Sequence, residues 1–130
     1  MATTIVTARA ITQAFTVVWG KPNRIVVPAY TKNDLIIRLN IVDEAGDPVD
    51  VSTYTTRTSG IYPPASGTAD VSPTPAFLTD GTDGVVTITI TDSNTSAFTT
   101  GNKRFECQLA KTGSKITVAD GVIQFTATKL

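Results

Sequence analysis

Carboxylate side chains gather in two short stretches of the chain and are the first candidates for chemistry. Carboxylate oxygens bind calcium, and two facing carboxylates can act as the acid and the base of a hydrolase. The spacing fits no calcium loop, however, and aspartate is common in turns because its side chain bonds the local backbone. We therefore predict solvated turns, with a metal site as the alternative. The acids concerned are Asp43, Glu44, Asp47 and Asp50 in one stretch and Asp80 and Asp83 in the other.

The residue types that most often carry catalysis are scarce. The chain contains no histidine and one cysteine, which removes the usual general base and the commonest transition-metal ligand. No glycine-rich phosphate loop is present in the sequence,. Cys107 lies on the apolar side of an alternating stretch, so we expect an unreactive buried thiol. These observations predict a protein that is not an enzyme, with no catalytic residue, no bound metal and no cofactor.

Charge and hydropathy argue against two classes of partner. Eleven basic residues balance eleven acidic ones among 130 residues, so the whole chain has no electrostatic attraction to nucleic acid or to anionic lipid. No apolar run approaches the roughly 20 residues that span a bilayer, and the N-terminus lacks the pattern of a secretory signal. Lys103, Arg104, Lys111 and Lys115 are close in sequence, and we interpret them as a solvated strand face. We expect neither a nucleic-acid partner nor a membrane.

The elements that position these residues are predicted to be β-strands. The chain holds 24 threonines, and threonine favours strands. Every residue from 85 to 91 is β-branched, and aliphatic residues alternate with threonine there, which indicates a half-buried strand. A second alternating stretch contains Phe105, Cys107 and Leu109. We expect these two strands, within residues 84–110, to be the centre around which the rest packs.

Other stretches give further strands and turns. Asp34–Val42 alternates over its whole length, and residues 54–58 could continue as an outer strand,. Residues 60–84 are rich in proline and glycine, which predicts a long loop. A single helical turn is expected at residues 92–98. At the end of the chain, residues 115–118 and 122–127 are predicted to form a hairpin through a type I′ turn at Asp120 and Gly121.

The first 31 residues are apolar but fragmented. Short strands are predicted at residues 5–7, 14–19 and 24–27, and a helical turn at residues 8–14,. The segment is too apolar to be a free tail, so it either adds strands to the domain or reaches onto a neighbouring subunit. We therefore divide the chain into an N-terminal arm or set of extra strands, residues 1–31, and a domain, residues 32–130. The candidate partner-contact residues are Phe15, Val17, Trp19, Ile25, Val27 and Tyr62.

Several short motifs occur in a fixed order along residues 32–128. A long apolar strand leads into residues 46–54, GDPVDVSTY; Asp83-Gly84 then opens an aliphatic strand, and Gly101 precedes another strand. In this order they resemble the immunoglobulin-like domains of tailed-phage virion proteins, notably the N-terminal domain family of the baseplate upper protein. The chain departs from the family pattern at Phe105, where the family usually has tyrosine. The proline-rich middle and the first thirty residues are further departures.

The resemblance implies a non-enzymatic virion structural protein, assembled in the host cytoplasm, that contacts other virion structural proteins and is itself a homo-oligomer. It implies no active-site residues. Together with the strand pattern, it leads us to expect an antiparallel immunoglobulin-like β-sandwich with an N-terminal extended arm or extra strands. The particle component is left open among tail, baseplate, collar and capsid surface, where the protein would be a decoration.

A carbohydrate-binding or host-surface-binding module is the alternative function. It would require an exposed aromatic ring beside polar loops, since sugars stack on aromatic faces. The rings that could serve are those of Trp19, Tyr30, Tyr54 and Tyr62.

Overall fold

A computed structural model describes residues 10–31, 33–64, 67–91, 98 and 100–126. The described residues form eight β-strands and no helix. No helical segment in these ranges could therefore span a membrane. The strands are β1 Ala10–Val18, β2 Arg24–Tyr30, β3 Asp34–Val42, β4 Thr56–Tyr62, β5 Ala76–Phe77, β6 Val85–Ile90, β7 Gly101–Lys111 and β8 Ser114–Thr126.

The strands make two four-stranded sheets that pack face to face, which confirms the predicted β-sandwich. The first sheet has the order β1-β3-β6-β5 and the second has the order β2-β8-β7-β4. Four of the described pairings are antiparallel, as expected, but β1–β3 and β2–β8 are parallel. The parallel pairings arise because β1, β2 and β3 alternate between the two sheets, so neither β1 nor β2 pairs with its neighbour in sequence. The N-terminal segment from residue 10 onward thus supplies the extra strands.

The core lies between the sheets and follows the predicted alternation. Leu35, Ile37, Leu39 and Ile41 of β3 are all buried, while the residues between them are half-buried. Because successive side chains of a strand point to opposite faces, one face of each sheet can be wholly apolar. The second sheet contributes, among others, Phe105, Cys107, Leu109, Ile123 and Phe125. Burying such side chains contributes about 1.5–3 kcal/mol each.

The predicted C-terminal hairpin is wrong. Residues 114–126 form one continuous strand, β8, and the turn lies earlier, between β7 and β8, with Gly113 at φ 82°. Gly121 serves a different purpose from a turn. A Cβ atom there would lie 1.8 Å from the carbonyl oxygen of Ile25, so glycine lets β2 approach β8. The sequence Asp-Gly favours a turn locally, and the pairing with β2 overrides that preference.

Some local predictions also need correction. Residues 10–14, expected to be helical, belong to β1, and the outer strand expected at residues 54–58 is β4, Thr56–Tyr62. The strand at residues 5–7 and residues 92–97 of the helical turn lie outside the described residues. The proline-rich loop contains β5, and backbone bonds between Ile61 and Val71 attach it to β4.

Replacing Gly121 by alanine tests the close approach of β2 to β8. We expect Gly121→Ala to lower the free energy of unfolding by more than about 2 kcal/mol, because backbone atoms of Ile25 must move,. Gly67→Ala is the matched control, since a Cβ atom there meets nothing within 4 Å. Urea denaturation of both variants measures the difference. Equal stability of the two variants would contradict the observed β2–β8 contact.

Candidate protein–protein interface

The outer edge of β1 presents unpaired backbone groups. In a strand, N–H and C=O groups point alternately to the two sides. The Trp19 N–H, directly after β1, donates to Val42 O at 2.8 Å, so odd-numbered residues of β1 bond to β3 and even-numbered residues point away. Thr12, Ala14 and Thr16 therefore direct one N–H and one C=O each out of the sheet. No bond to these groups is present within the described ranges.

Asn23 closes one end of this edge. Its side-chain oxygen accepts a bond from Val18 N at 3.0 Å, and its side-chain nitrogen donates to Val18 O at 2.9 Å. The same nitrogen lies 3.1 Å from Val118 O in the second sheet. The amide thus takes the place of a neighbouring strand at Val18 and ties the two sheets together. The open part of the edge starts at Thr16.

The outer edge of β2 differs from that of β1. The Thr31 N–H, directly after β2, donates to Thr126 O at 3.0 Å, so the even-numbered residues of β2 point away from β8. One of these is Pro28, which has no N–H and interrupts the edge, as expected for proline in an edge strand. The side chains of Val26 and Tyr30, 52% and 46% exposed, lie on the outer face of β2. Pro28 therefore limits strand pairing along the β2 edge, while the outer face of β2 is apolar.

The six predicted contact residues do not share one surface. Val17, Ile25 and Val27 are buried in the core of the same chain, because the strands that carry them pair within it. A contact through these side chains would require their strands to leave the sheets, and that contact stays a prediction. The remaining three, Phe15, Trp19 and Tyr62, are half-buried, and their contact with a partner stays a prediction.

The contact residues predicted on β1 and β2 are mostly the apolar positions of these strands, and the exposed positions are not among them. The predicted positions are apolar because they fill the chain's own core. The alternation that marks Val17 as inward marks Thr16 as outward, and the same holds for Val27 and Val26,. Period-2 patterning was therefore the available signal, and it pointed to the even-numbered residues.

Most of the aromatic rings considered for carbohydrate binding already contact other residues of the chain. Trp19 and Tyr54 pack edge to face with their ring centres 5.1 Å apart. The hydroxyl groups of Tyr54 and Ser114 are hydrogen-bonded at 3.3 Å. The Tyr62 ring lies against Gly60, with the Arg104 guanidinium 5.2 Å from its centre. Of the four candidates, Tyr30 alone is largely exposed, and it stands on a strand rather than beside polar loops.

The cluster of basic residues is only partly a solvated face. Arg104, Lys111 and Lys115 are exposed, as predicted. Two of the four cations nevertheless lie over core-side rings: Lys111 over Tyr54 at 4.6 Å, and Lys103 over Phe98 at 4.7 Å. These positions let the aliphatic stems cover apolar surface while the charges stay near water.

A cleft of about 470 Å³ lies beside the β1–β2 turn. It is lined by residues of both charge signs, including Lys21, Glu106, Lys115 and Asp120. Glu106 of β7 and Asp120 of β8 are direct neighbours in register, and Arg24 of β2 follows Asp120 in the same row. Mixed charges of this kind favour polar protein contacts over selective binding of one anion.

The acidic turns use their carboxylates for local bonds. Asp80 Oδ1 accepts bonds from the Thr82 N–H and hydroxyl, at 3.0 and 2.6 Å. Asp50 accepts an equivalent pair from Ser52, at 2.9 and 2.6 Å. In each case the side-chain bond, followed by the backbone bond, lowers the pKa of the aspartate below its ordinary value,. No group of three potential metal ligands occurs among the residues the structure describes.

Cys107 lies in the core between the sheets and is 0% exposed. Burial, followed by the nearby charge of Glu106, raises the pKa of the thiol to about 12. Because the thiolate is the reactive form, we expect this thiol to react slowly in the folded protein. The predicted burial of the thiol is confirmed, and its lack of reactivity stays a prediction.

The Asp80 turn gives a pH-dependent prediction. We expect Thr82→Val to raise the pKa of Asp80 toward its ordinary value, because the Thr82 hydroxyl bond is the largest cause of the lowering. A lowered folded-state pKa stabilises the fold above the unfolded-state pKa, and this stability is lost as pH falls through the folded-state value. The variant should lose part of that dependence. Carboxyl NMR titration measures the pKa, and an unchanged Asp80 pKa would rule out the assigned bond.

The thiol gives a second prediction. At pH 8 the folded protein should not react with a thiol reagent such as iodoacetamide over hours, because Cys107 is buried and protonated,. In urea the same cysteine should be modified completely, and mass spectrometry counts the modified chains. Complete modification without denaturant would show that the core around Cys107 opens readily.

Comparison with known protein families and with curated proteins finds no match to this chain. Among solved structures, the chain is similar to the N-terminal domain of phage TP901-1 ORF48. The two share 14% sequence identity and superpose with a TM-score of 0.52, over 91% of this chain and 98% of that domain. At this identity the likeness concerns the fold.

Proposed function

We propose that this chain is a non-enzymatic structural protein of a phage particle, where it mediates assembly by binding other virion proteins. The observation that carries the proposal is the fold shared with a domain of a phage protein over 91% of the chain. A domain match of this extent supports a role in which the whole sandwich acts as a building block. The order of short motifs along residues 32–128 supports the same class of protein independently of the fold.

The outer face of β2 is the contact surface that the side chains favour. Three large apolar side chains are exposed among the described residues, and two of them, Val26 and Tyr30, stand on this face with Pro28 between them. Exposed apolar groups on a rigid strand fit a protein contact, since burying them releases water at little cost in chain entropy. Arg24 at the start of β2, with Asp120 and Glu106 beside it in register, would form a polar rim,.

Incorporation into particles tests this proposal. Particles of the phage that encodes the chain are purified, and the chain is counted per particle by quantitative mass spectrometry and located by immunoelectron microscopy. We expect a fixed copy number at one place on the particle. We expect Val26→Glu to weaken incorporation about tenfold or more, because a charge then occupies the centre of the apolar contact.

Leu78→Glu is the matched control. Leu78 is 51% exposed, almost the same as Val26, but it follows β5 in the other sheet, so this substitution should leave the copy number unchanged. A chain that stays in the soluble fraction while particles assemble normally would refute the proposal. Binding to a glycan array without incorporation into particles would instead favour the carbohydrate-binding alternative.

A further inference from the structure

Among the described residues, the part of the β1 edge from Thr12 to Thr16 carries none of the devices that normally prevent strands from pairing between molecules. Sheet edges are commonly protected by lysine, by proline, by a bulge or by a covering segment. β1 has nine residues with no charge and no proline, and it pairs with β3 in an unbroken register. The other edges are protected within the described structure: β2 carries Pro28, β4 is bridged to Val71, and β5 has two residues. β1 is the one long edge without such protection in the part of the chain that the structure describes.

We propose that β1 is a pairing site for a second copy of this chain, joined antiparallel to its counterpart with Ala14 on the two-fold axis. The pairing would join the two first sheets into one sheet of eight strands. This pairing specifies one contact within the proposed assembly role, and its use in a particle rests on that role. The pairing itself can be measured on the purified chain alone.

The register follows from the outward-pointing residues. With Ala14 opposite Ala14 of the second copy, Thr12 of each chain lies opposite Thr16 of the other. Each chain then contributes three N–H donors and three C=O acceptors, so the pair forms six backbone hydrogen bonds. Pairing cannot extend past Thr16 at that end, because the Asn23 side chain already occupies the outward groups of Val18. In this register, every outward backbone group from Thr12 to Thr16 therefore has a partner in the second copy.

The side chains favour a second copy over an unrelated strand. The exposed residues Thr12, Ala14 and Thr16 read the same in both directions, so an antiparallel copy meets the same sequence. Threonine beside threonine is a favourable cross-strand pair, and alanine at the axis leaves the backbones free to approach. The edge carries no charge, and the chain has equal numbers of basic and acidic residues, so two copies do not repel each other. A two-fold contact also closes on itself and does not continue into a fibre.

Six hydrogen bonds and a single strand edge make a small interface, so the dimer of the free chain should be weak. Several copies held on one particle raise the effective concentration and would make such a contact effective there. Analytical ultracentrifugation and NMR of the full chain, up to about 1 mM, cover the range in which such a contact is populated. We expect concentration-dependent dimer formation, with amide shifts confined to β1.

Charge exchange at the axis is the decisive experiment. In a dimer of A14K, or in a dimer of A14E, two like charges face each other at the axis. Each variant alone should therefore dimerise about fivefold more weakly than the parent chain. A mixture of A14K and A14E should dimerise at least as well as the parent, because opposite charges then meet. Leu78→Lys, directly after β5 at the opposite end of the first sheet, is the matched control and should not change dimerisation. Thermal unfolding confirms that each variant is folded.

A backbone substitution gives an independent measure. Ala14→Pro removes the outward N–H at the axis in both copies but none of the bonds to β3, and two lost hydrogen bonds should weaken the dimer about tenfold or more. A chain lacking residues 2–9 should dimerise like the parent. If this truncation abolishes pairing while A14K does not, the N-terminal residues of the neighbour occupy the edge and the proposal fails.

The other outcomes separate this inference from the proposed function. A chain that remains monomeric at all concentrations, or an A14K and A14E mixture that associates no better than each variant alone, would overturn the β1 pairing. Such a result leaves particle incorporation untouched. A dimer with the expected charge pattern, formed by a chain that never enters particles, would instead refute the assembly function and keep the pairing.

Discussion

Burial of one face of every long strand is the interaction on which this structure depends. β3 and β6 of the first sheet and β7 and β8 of the second place their aliphatic side chains in a single shared core. Because side chains and backbone groups both alternate along a strand with period two, the choice of the inward face also fixes which groups point outward. The same constraint that hides Val17 and Val27 therefore exposes Thr16 and Val26. The same alternation along each strand therefore determines both its buried residues and its exposed residues.

The described N-terminal segment, residues 10–31, crosses from one sheet to the other. β1 belongs to the first sheet and β2 to the second, and the five residues between them make the crossing. Asn23 holds this crossing through the backbone of Val18 on one side and of Val118 on the other. Gly121 completes it by letting β2 approach β8. The segment is thus an integral part of the sandwich, and this explains why it is apolar without being a separate domain.

The same segment also carries the two surfaces that we propose to contact other proteins. Its two strands lie at the ends of their sheets, where one side of each strand has no neighbouring strand among the described residues,. They differ in chemistry: β1 offers a bare backbone with small side chains, and β2 offers Val26 and Tyr30 on a strand that Pro28 prevents from pairing further. One edge therefore suits strand addition and the other face suits side-chain contact. A building block with two unlike surfaces can contact two kinds of neighbour at once.

The sequence by itself determined the strand content, the inward face of β3, β6 and β7, and the burial of Cys107, because period-2 alternation is a local property that a strand carries with it. Only the tertiary structure decided the rest. Asp120-Gly121 has the residues of a turn but lies within β8, since the approach of Ile25 requires a residue without a Cβ atom there. The parallel pairing of β1 with β3 and of β2 with β8 depends on which strand lies beside each of them, and so does the burial of the apolar residues expected to contact a partner. That neighbour is distant in sequence, and no local pattern encodes it.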